Sequence, residues 1–409
     1  MARYVILSEI ALTDREWERL GCSEFTAAGY EILAADLRKV LRPSAGAEMS
    51  RALLTMERAV SIESVAQLEE LVSGILATDV VLVFASLSSA TRPLFLLLRR
   101  YQVRYSSIEL GVLPVDRVRS SKAAITKAEY VTLRLDDFFG MLYRWRRFMR
   151  EVIAHRFEYF RLQPPWLFLT AGTIASPLIS WLPFAWRARR IHVASFDCLV
   201  AETLNSKARV AGRTAVFLDE AFCNHPDFEI LGLKSPVTPE KYWRSLHRLF
   251  SALEAKLGLT VIIAPHPKSG GPVPAEIQTR MFEKGNTAQL VRDSELVLCH
   301  ASTSVSFAVL FRKPLLFVTT DEVERSVYRG AIARMSSCFA LRRVNTDRFK
   351  DTDLVPGEVD EQLYKSYEHL FLRAPDARGA SPWTILRNEY EAVCPQNQVD
   401  SSHRAGLAG

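Results

Sequence analysis

The chain has 409 residues, 48% of them hydrophobic and 24% charged. That is the composition of a folded globular protein, at a length one hydrophobic core does not ordinarily serve. The net charge is +6, and residues 91–160 hold fourteen Lys and Arg against seven Asp and Glu. So concentrated a surplus points to a phosphate-bearing ligand or an anionic surface, and it argues against a duplex nucleic-acid binder, which would carry a longer basic stripe.

In chain order, "RYVILSE" (3–9) predicts a strand and reads as the start of a folded domain, not as a secretion signal. "TDREWERLGC" (13–22) predicts a helix, with Thr13 and Asp14 as cap and Glu16 in its first turn. "DVVLVFA" (79–85) is a continuous apolar run, the mark of a strand covered on both faces. "RPLFLLLRRY" (92–101) reads as a helix and "VRYSSIELGVL" (103–113) as extended chain. In "DFFGMLYRWRRFMREVIAHRFEYF" (137–160), Phe138, Met141, Leu142, Trp145, Met149, Val152 and Ile153 share one helical face, with Arg144, Arg147 and Arg150 largely opposite. A helix packed on a sheet has this pattern, and so does one lying on an anionic membrane. Leu162 to Trp186 is uncharged, but Pro164, Pro165, Pro177 and Pro183 divide it, so a buried strand at 166–172 plus an apolar loop is expected in place of a membrane span. A strand at 190–196 follows.

The second half repeats the rhythm. It reads as strand 214–220, helix 238–258 with Thr238 as cap, Pro239 in the first turn and Gly258 at its end, then strand 259–264. Strands near 288–291 and at 295–301, a short helix at 304–311 and a strand at 314–320 complete it. This alternation predicts an α/β protein of two Rossmann-like, doubly wound domains. The expected division is 1–207 and 208–394, with a disordered tail at 395–409. Six scattered cysteines without a CxxC pair predict neither disulfides nor zinc, and fit a reducing cytoplasm.

Ligands of open parallel sheets bind beyond the carboxyl ends of the strands. Three such ends are chemically unusual. Asp219-Glu220 follow "AVFL", and a carboxylate there can take a proton from an attacking hydroxyl or merely cap the next turn. His266-Pro267-Lys268 follow "VIIAP"; an imidazole held beside a proline and two glycines can stabilise or protonate a departing phosphate. Ser302, Thr303 and Ser304 lead into a helix whose free backbone N–H groups would hold a phosphate. His225 and Asp227 are explained as well by a turn. No GxxxxGK occurs, so this is not a Walker loop. "DTD" (351–353) has the spacing of a metal motif but lies in a polar, strand-poor stretch, and no metal site is expected.

In this order, Asp219-Glu220, His266-Pro267 and Ser302-Thr303-Ser304 resemble the acidic, HP and paired Ser/Thr motifs of bacterial sialyltransferases and polysialyltransferases with the two-domain GT-B fold. With Lys313-Pro314 they also look like the wider group of capsule and lipopolysaccharide glycosyltransferases, those for Kdo included. The likeness covers 214–320, and Ala221 stands where the acidic motif has Gly. The resemblance implies two domains facing a central cleft and an inverting, metal-independent transfer from a CMP-linked acidic sugar to a surface-glycan or glycolipid acceptor, with no cofactor. Asp219 would be the base, with Glu220 as neighbouring candidate and Glu9 or Asp197 as first-domain substitutes. His266 would meet the leaving phosphate, with Pro267, Lys268 and the hydroxyl loop around the donor, and the first domain would bind the acceptor. A cytoplasmic enzyme, peripheral on the inner membrane through 137–160, would suit a lipid-linked acceptor. Alternatives are a UDP-sugar-dependent transferase, a nucleotide-sugar epimerase and a non-catalytic assembly protein. The "SVSFAVLF" helix lacks the Glu that many UDP-sugar enzymes use for ribose, which leans toward CMP.

Overall fold

The computed structural model describes residues 2–41, 58–88, 90–111, 142, 145–146, 149, 162–174, 187–208, 212–225, 228, 234–267, 269 and 275–393. Most of the basic segment 137–160, with Lys268, Asp227, the apolar stretch 175–186 and the tail, lies outside them.

Seven parallel strands build the first sheet: β1 (Arg3–Ser8), β2 (Glu31–Asp36), β3 (Val60–Ser61), β4 (Val80–Phe84), β5 (Ser106–Glu109), β6 (Leu167–Ala171) and β7 (Arg189–Val193). Six more build the second: β8 (Thr214–Leu218), β9 (Thr260–Ala264), β10 (Met281–Phe282), β11 (Leu296–Cys299), β12 (Leu315–Thr319) and β13 (Arg343–Asn345). The orders are β3-β2-β1-β4-β5-β6-β7 and β10-β9-β8-β11-β12-β13. Each sheet therefore starts in its middle, grows one way, then reverses, so its switch point lies between β1 and β4 or between β8 and β11.

Both sheets are covered on both faces, which is why their strands read as unbroken apolar runs. Tyr4 and Ile6 join one core while Val5 and Leu7 join the core on the opposite face. Val216 and Leu218 likewise separate from Ala215 and Phe217. The helix Pro239–Leu257 buries Tyr242, Trp243, Leu246, Leu249, Phe250 and Leu253, the stripe a helix lays on a sheet, and Gly258 ends it at φ 64°.

Two expectations change. The helix at 13–22 is two short helices, Asp14–Arg19 and Cys22–Ala27, parted where Gly21 takes φ 72°. The expected strand at 288–291 is the helix Thr287–Asp293, because a four-residue apolar run cannot separate the two periods. The helix Phe196–Asn205 crosses between the two sheets' cores. Phe196 lies in the first core, Cys198 and Ala201 in the second. The final helix Pro382–Val393 returns to the first sheet, burying Trp383, Ile385, Leu386 and Tyr390 in its core. Its apolar stripe finds its cover there, and the Tyr390 hydroxyl donates to the Val81 carbonyl at 3.2 Å.

The domains are also joined through backbone. Thr173 and Ile174 N–H donate to the His369 and Leu370 carbonyls at 3.0 Å each, and Ser195 N–H to Leu372 at 2.8 Å. Gly172, at φ 65°, permits this approach to the π-helical turn Glu368–Leu372, since a Cβ there would lie 2.3 Å from the Leu370 oxygen. Among the described residues no helix is long and apolar enough to cross a membrane, and β6 occupies the front of the uncharged stretch.

Candidate functional site

β9, β8 and β11 are neighbours in the second sheet, so the three unusual strand ends lie side by side at its carboxyl edge. Parallel register sets this: Leu218 pairs with Ala264 on one side and with Cys299 on the other. Asp219 N–H then donates to the Ala264 carbonyl at 3.1 Å, two residues before His266.

The two carboxylates divide their tasks. Asp219 is 7% exposed, and its Oδ1 accepts the Ala221 N–H at 3.0 Å, closing a turn on its own chain. Burial lifts its pKa to about 6, against the pull of the Ala221 and Glu220 amides. Glu220 reaches across the switch point and accepts backbone N–H groups of Ala301, His300 and Ser302. Burial, and to a lesser degree the neighbouring Asp219 charge, raise it to about 8. Both carboxyl groups are thus more basic than free ones, Glu220 more so than Asp219. Burial spreads the two neighbouring carboxyl groups over different titration ranges.

A pH dependence of stability follows. Unfolded Glu220 loses its proton near 4.5 and the folded form near 8, so the folded chain binds the extra proton between those values. Its contribution is fully present below about 4.5 and is lost as pH rises through 8. Asp219 acts in the same sense between 3.8 and about 6. Glu220→Gln is therefore expected to flatten the fall in melting temperature between pH 5 and 8; an unchanged slope would place the titration elsewhere.

Ala221 sits where the backbone favours glycine. It is buried with φ 54°, the left-handed region that costs a side-chain-bearing residue about 1–2 kcal/mol. Ala221→Gly is expected to raise unfolding stability by about 1 kcal/mol, net of glycine's greater unfolded-state entropy. A loss of stability in denaturant titration would contradict that.

The hydroxyl loop differs from expectation in one respect. The helix Val305–Leu310 has only six residues, and the amides before and within it are committed. Ala301 N–H goes to Glu220, Ser304 N–H to the Ser302 hydroxyl at 3.2 Å, and Val305 and Ser306 N–H to the Ser302 and Thr303 carbonyls at 3.2 and 3.1 Å. Tight three-residue bonding at the helix start and the chain's own carboxylate take most of the donors that were expected to stay free. The loop still presents the partly exposed Ser302 and Ser304 and the exposed Thr303. His266 is half-buried, with the His225 ring centroid 4.7 Å from its own and with its carbonyl accepting Ser269 N–H at 2.8 Å. Pro267 beside it is exposed.

His300, the first residue of the loop, is structural. Its ring is fully buried between a carbonyl and a hydroxyl: Nδ1 lies 2.7 Å from the Val318 oxygen and Nε2 2.9 Å from the Tyr242 hydroxyl. A carbonyl only accepts, so Nδ1 carries the proton and Tyr242 donates to Nε2. Burial holds the pKa near 4, and the ring stays neutral.

The first domain supplies further carboxylates. Glu9, just past β1, accepts Ser86 N–H and Oγ–H at 2.8 and 2.6 Å, bridging the first switch point as Glu220 bridges the second. Asp197, in the first turn of the crossing helix, is raised by burial, while a hydrogen bond from Ser306 and the charges of Arg19 and Arg15 oppose the rise. Ser306 Oγ lies 2.8 Å from the Thr303 carbonyl, so its single proton is shared between Asp197 and the hydroxyl loop. The sequence reading missed Ser86, Ser306 and Tyr367, which also bonds Ser306. Only the position of Ser306 in "ASTSVSF" pointed toward it. Asp353 of "DTD" accepts the Lys350 N–H at 2.8 Å as a helix cap.

No protein-family model matches the chain, and no curated protein does. Among solved structures it is similar to a UDP-GlcNAc 2-epimerase from Methanocaldococcus jannaschii, at 12% identity over 95% of this chain and 99% of that one, TM-score 0.46. It is similar to the spinosyn forosaminyltransferase SpnP at 14% identity over 95% of each chain, TM-score 0.39. The third is Acinetobacter baumannii MurG, at 8% identity over 97% and 100%, TM-score 0.41. These are likenesses of fold. The resemblance to sialyl- and Kdo-transferases stands on its motifs alone.

Proposed function

We propose that this chain is a glycosyltransferase that takes its sugar from a nucleotide-linked donor. One observation carries the reading: a basic buried carboxylate, an imidazole and a hydroxyl loop end three adjacent strands, and Glu220 ties two of them together across the switch point. In this reading Asp219 removes the proton of the acceptor hydroxyl. His266, with His225 beside it, stabilises the leaving phosphate, while Ser302, Thr303 and Ser304 hydroxyls donate to its oxygens. Pro267 shapes that wall and Lys268 adds charge. Donors already in position when the phosphate charge develops usually lower the barrier more than any other device such a site has.

Two donor classes fit, a CMP-linked acidic sugar as the motifs imply and a UDP-linked sugar. The deciding experiment incubates the protein with CMP- and UDP-sugars, with and without acceptor alcohols, and follows nucleotide release and sugar configuration. Acceptor-dependent release supports the reading and names the donor. Release or epimerisation without acceptor replaces transferase by epimerase, and absence of binding by either nucleotide ends the enzymatic reading in favour of an assembly protein.

A further inference from the structure

The hydroxyl loop leads into the six-residue helix Val305–Leu310, and the chain leaves that helix through Arg312 at φ 54°. This is the left-handed position at which a helix end favours glycine. Arg312 N–H donates to the Val309 carbonyl at 3.2 Å and Lys313 N–H to the Ala308 carbonyl at 2.8 Å, so the stop is regular although its residue is not. A strained residue persists where its surroundings hold it there. Here the guanidinium meets two carboxylates, Glu361 at 3.0 Å and Glu368 at 3.1 Å. The Glu368 side chain is the more sheltered, at 23% exposure against 68% for Glu361, so solvent screens its charge less.

Both carboxylates belong to one bracket. Glu361 opens the helix Glu361–Tyr367, and Glu368 opens the π-helical turn that follows it. From the same helix the Tyr364 hydroxyl donates to the Lys313 carbonyl at 2.7 Å, while Tyr367 bonds the Ser306 hydroxyl at the other end of the short helix. The π-helical turn accepts the N–H groups of Thr173, Ile174 and Ser195 from the first domain. One side of segment 361–372 therefore grips the helix behind the hydroxyl loop, and its other side grips the chain just past β6 and β7. We propose that Arg312 and Glu368 are positioning residues: their ion pair fixes Ser302, Thr303 and Ser304 against the first domain, and the loop's hold on a phosphate depends on it. The phosphate in this proposal rests on the transferase reading; the fixing of the loop does not.

Arg312→Gly and Glu368→Ala test the pair in the full chain. Glycine suits the backbone at 312, so that variant is expected to melt close to wild type; Glu368→Ala carries the test if it does not. Calorimetry compares CMP and UDP with cytidine and uridine, which lack the phosphate. Each variant is expected to bind the nucleotides about three- to tenfold more weakly, a common size for a change remote from the ligand, with nucleoside affinity unchanged. The double variant should lose little more than either single one, as the two partners of one interaction do. Nucleotide affinity equal to wild type in both variants overturns the proposal, and so does an equal loss for the nucleosides, the mark of a general disturbance. Hydrogen exchange without ligand reads the loop itself: amides 302–306 are expected to exchange faster in both variants, and unchanged exchange also overturns the proposal. If wild type binds neither nucleotide, the transferase reading falls, and the exchange result alone decides whether the pair fixes the loop.

Discussion

Asparagine at position 219 is expected to slow transfer about 10²–10⁴-fold, the range a positioned general base supplies, without loss of nucleotide affinity. The substitution keeps the side chain's shape, and its oxygen still accepts the Ala221 N–H now found at 3.0 Å. What it removes is the proton acceptor. The wild-type rate should accordingly rise with pH through about 6, where Asp219 ionises. The same burial that makes this carboxylate basic costs the folded state stability at neutral pH. Holding its pKa at about 6 in place of 3.8 corresponds to roughly 3 kcal/mol. Asp219→Asn is therefore expected to melt higher, by up to that amount, while turning over more slowly. Lost rate with gained stability separates a missing base from a damaged fold. If nucleotide affinity falls instead, Asp219 holds the donor, and Glu9→Gln and Asp197→Asn become the tests for the base.

Trp383→Ala should cost about 3–5 kcal/mol, as truncation of a buried aromatic does. Trp383 is 2% exposed and lies over Gly21, where a Cβ would come 2.2 Å from the ring; its stacked neighbour Phe196 is 6.2 Å away. It anchors the last helix of the chain to the first sheet, and Phe196 begins the helix that crosses to the second. Removing it loosens both connections. Urea unfolding measures the effect, and a loss below about 1 kcal/mol, within the range of an ordinary surface change, would show that the returning helix is not anchored there.

The order of strands was readable where burial on both faces writes itself into the chain. The runs at 80–84, 215–218 and 296–299 are apolar throughout because helices cover both sides, and each lies in a strand in the middle of its sheet. β13 at an edge, with only Val344 buried, left no such trace. Placing Asp219, His266 and the hydroxyl loop at one sheet edge needed only the rule for parallel sheets. Their pairing did not follow from sequence: which carboxylate turns inward depends on Ala221 taking φ 54°, and which reaches the 300–302 amides depends on β8 and β11 being adjacent. Long-range closure was hidden for the same reason. Tyr390 meets Val81 across more than three hundred residues, and nothing local in "PWTILRNEYEAV" says which sheet its apolar stripe covers.

A crystal structure with bound CMP or UDP tests the central claim most directly. The account predicts phosphate oxygens within hydrogen-bond reach of both His266 and the Ser302–Ser304 hydroxyls, with Glu220 beside them on the loop amides. A nucleotide seated elsewhere, with those groups pointing away from its phosphates, would contradict it.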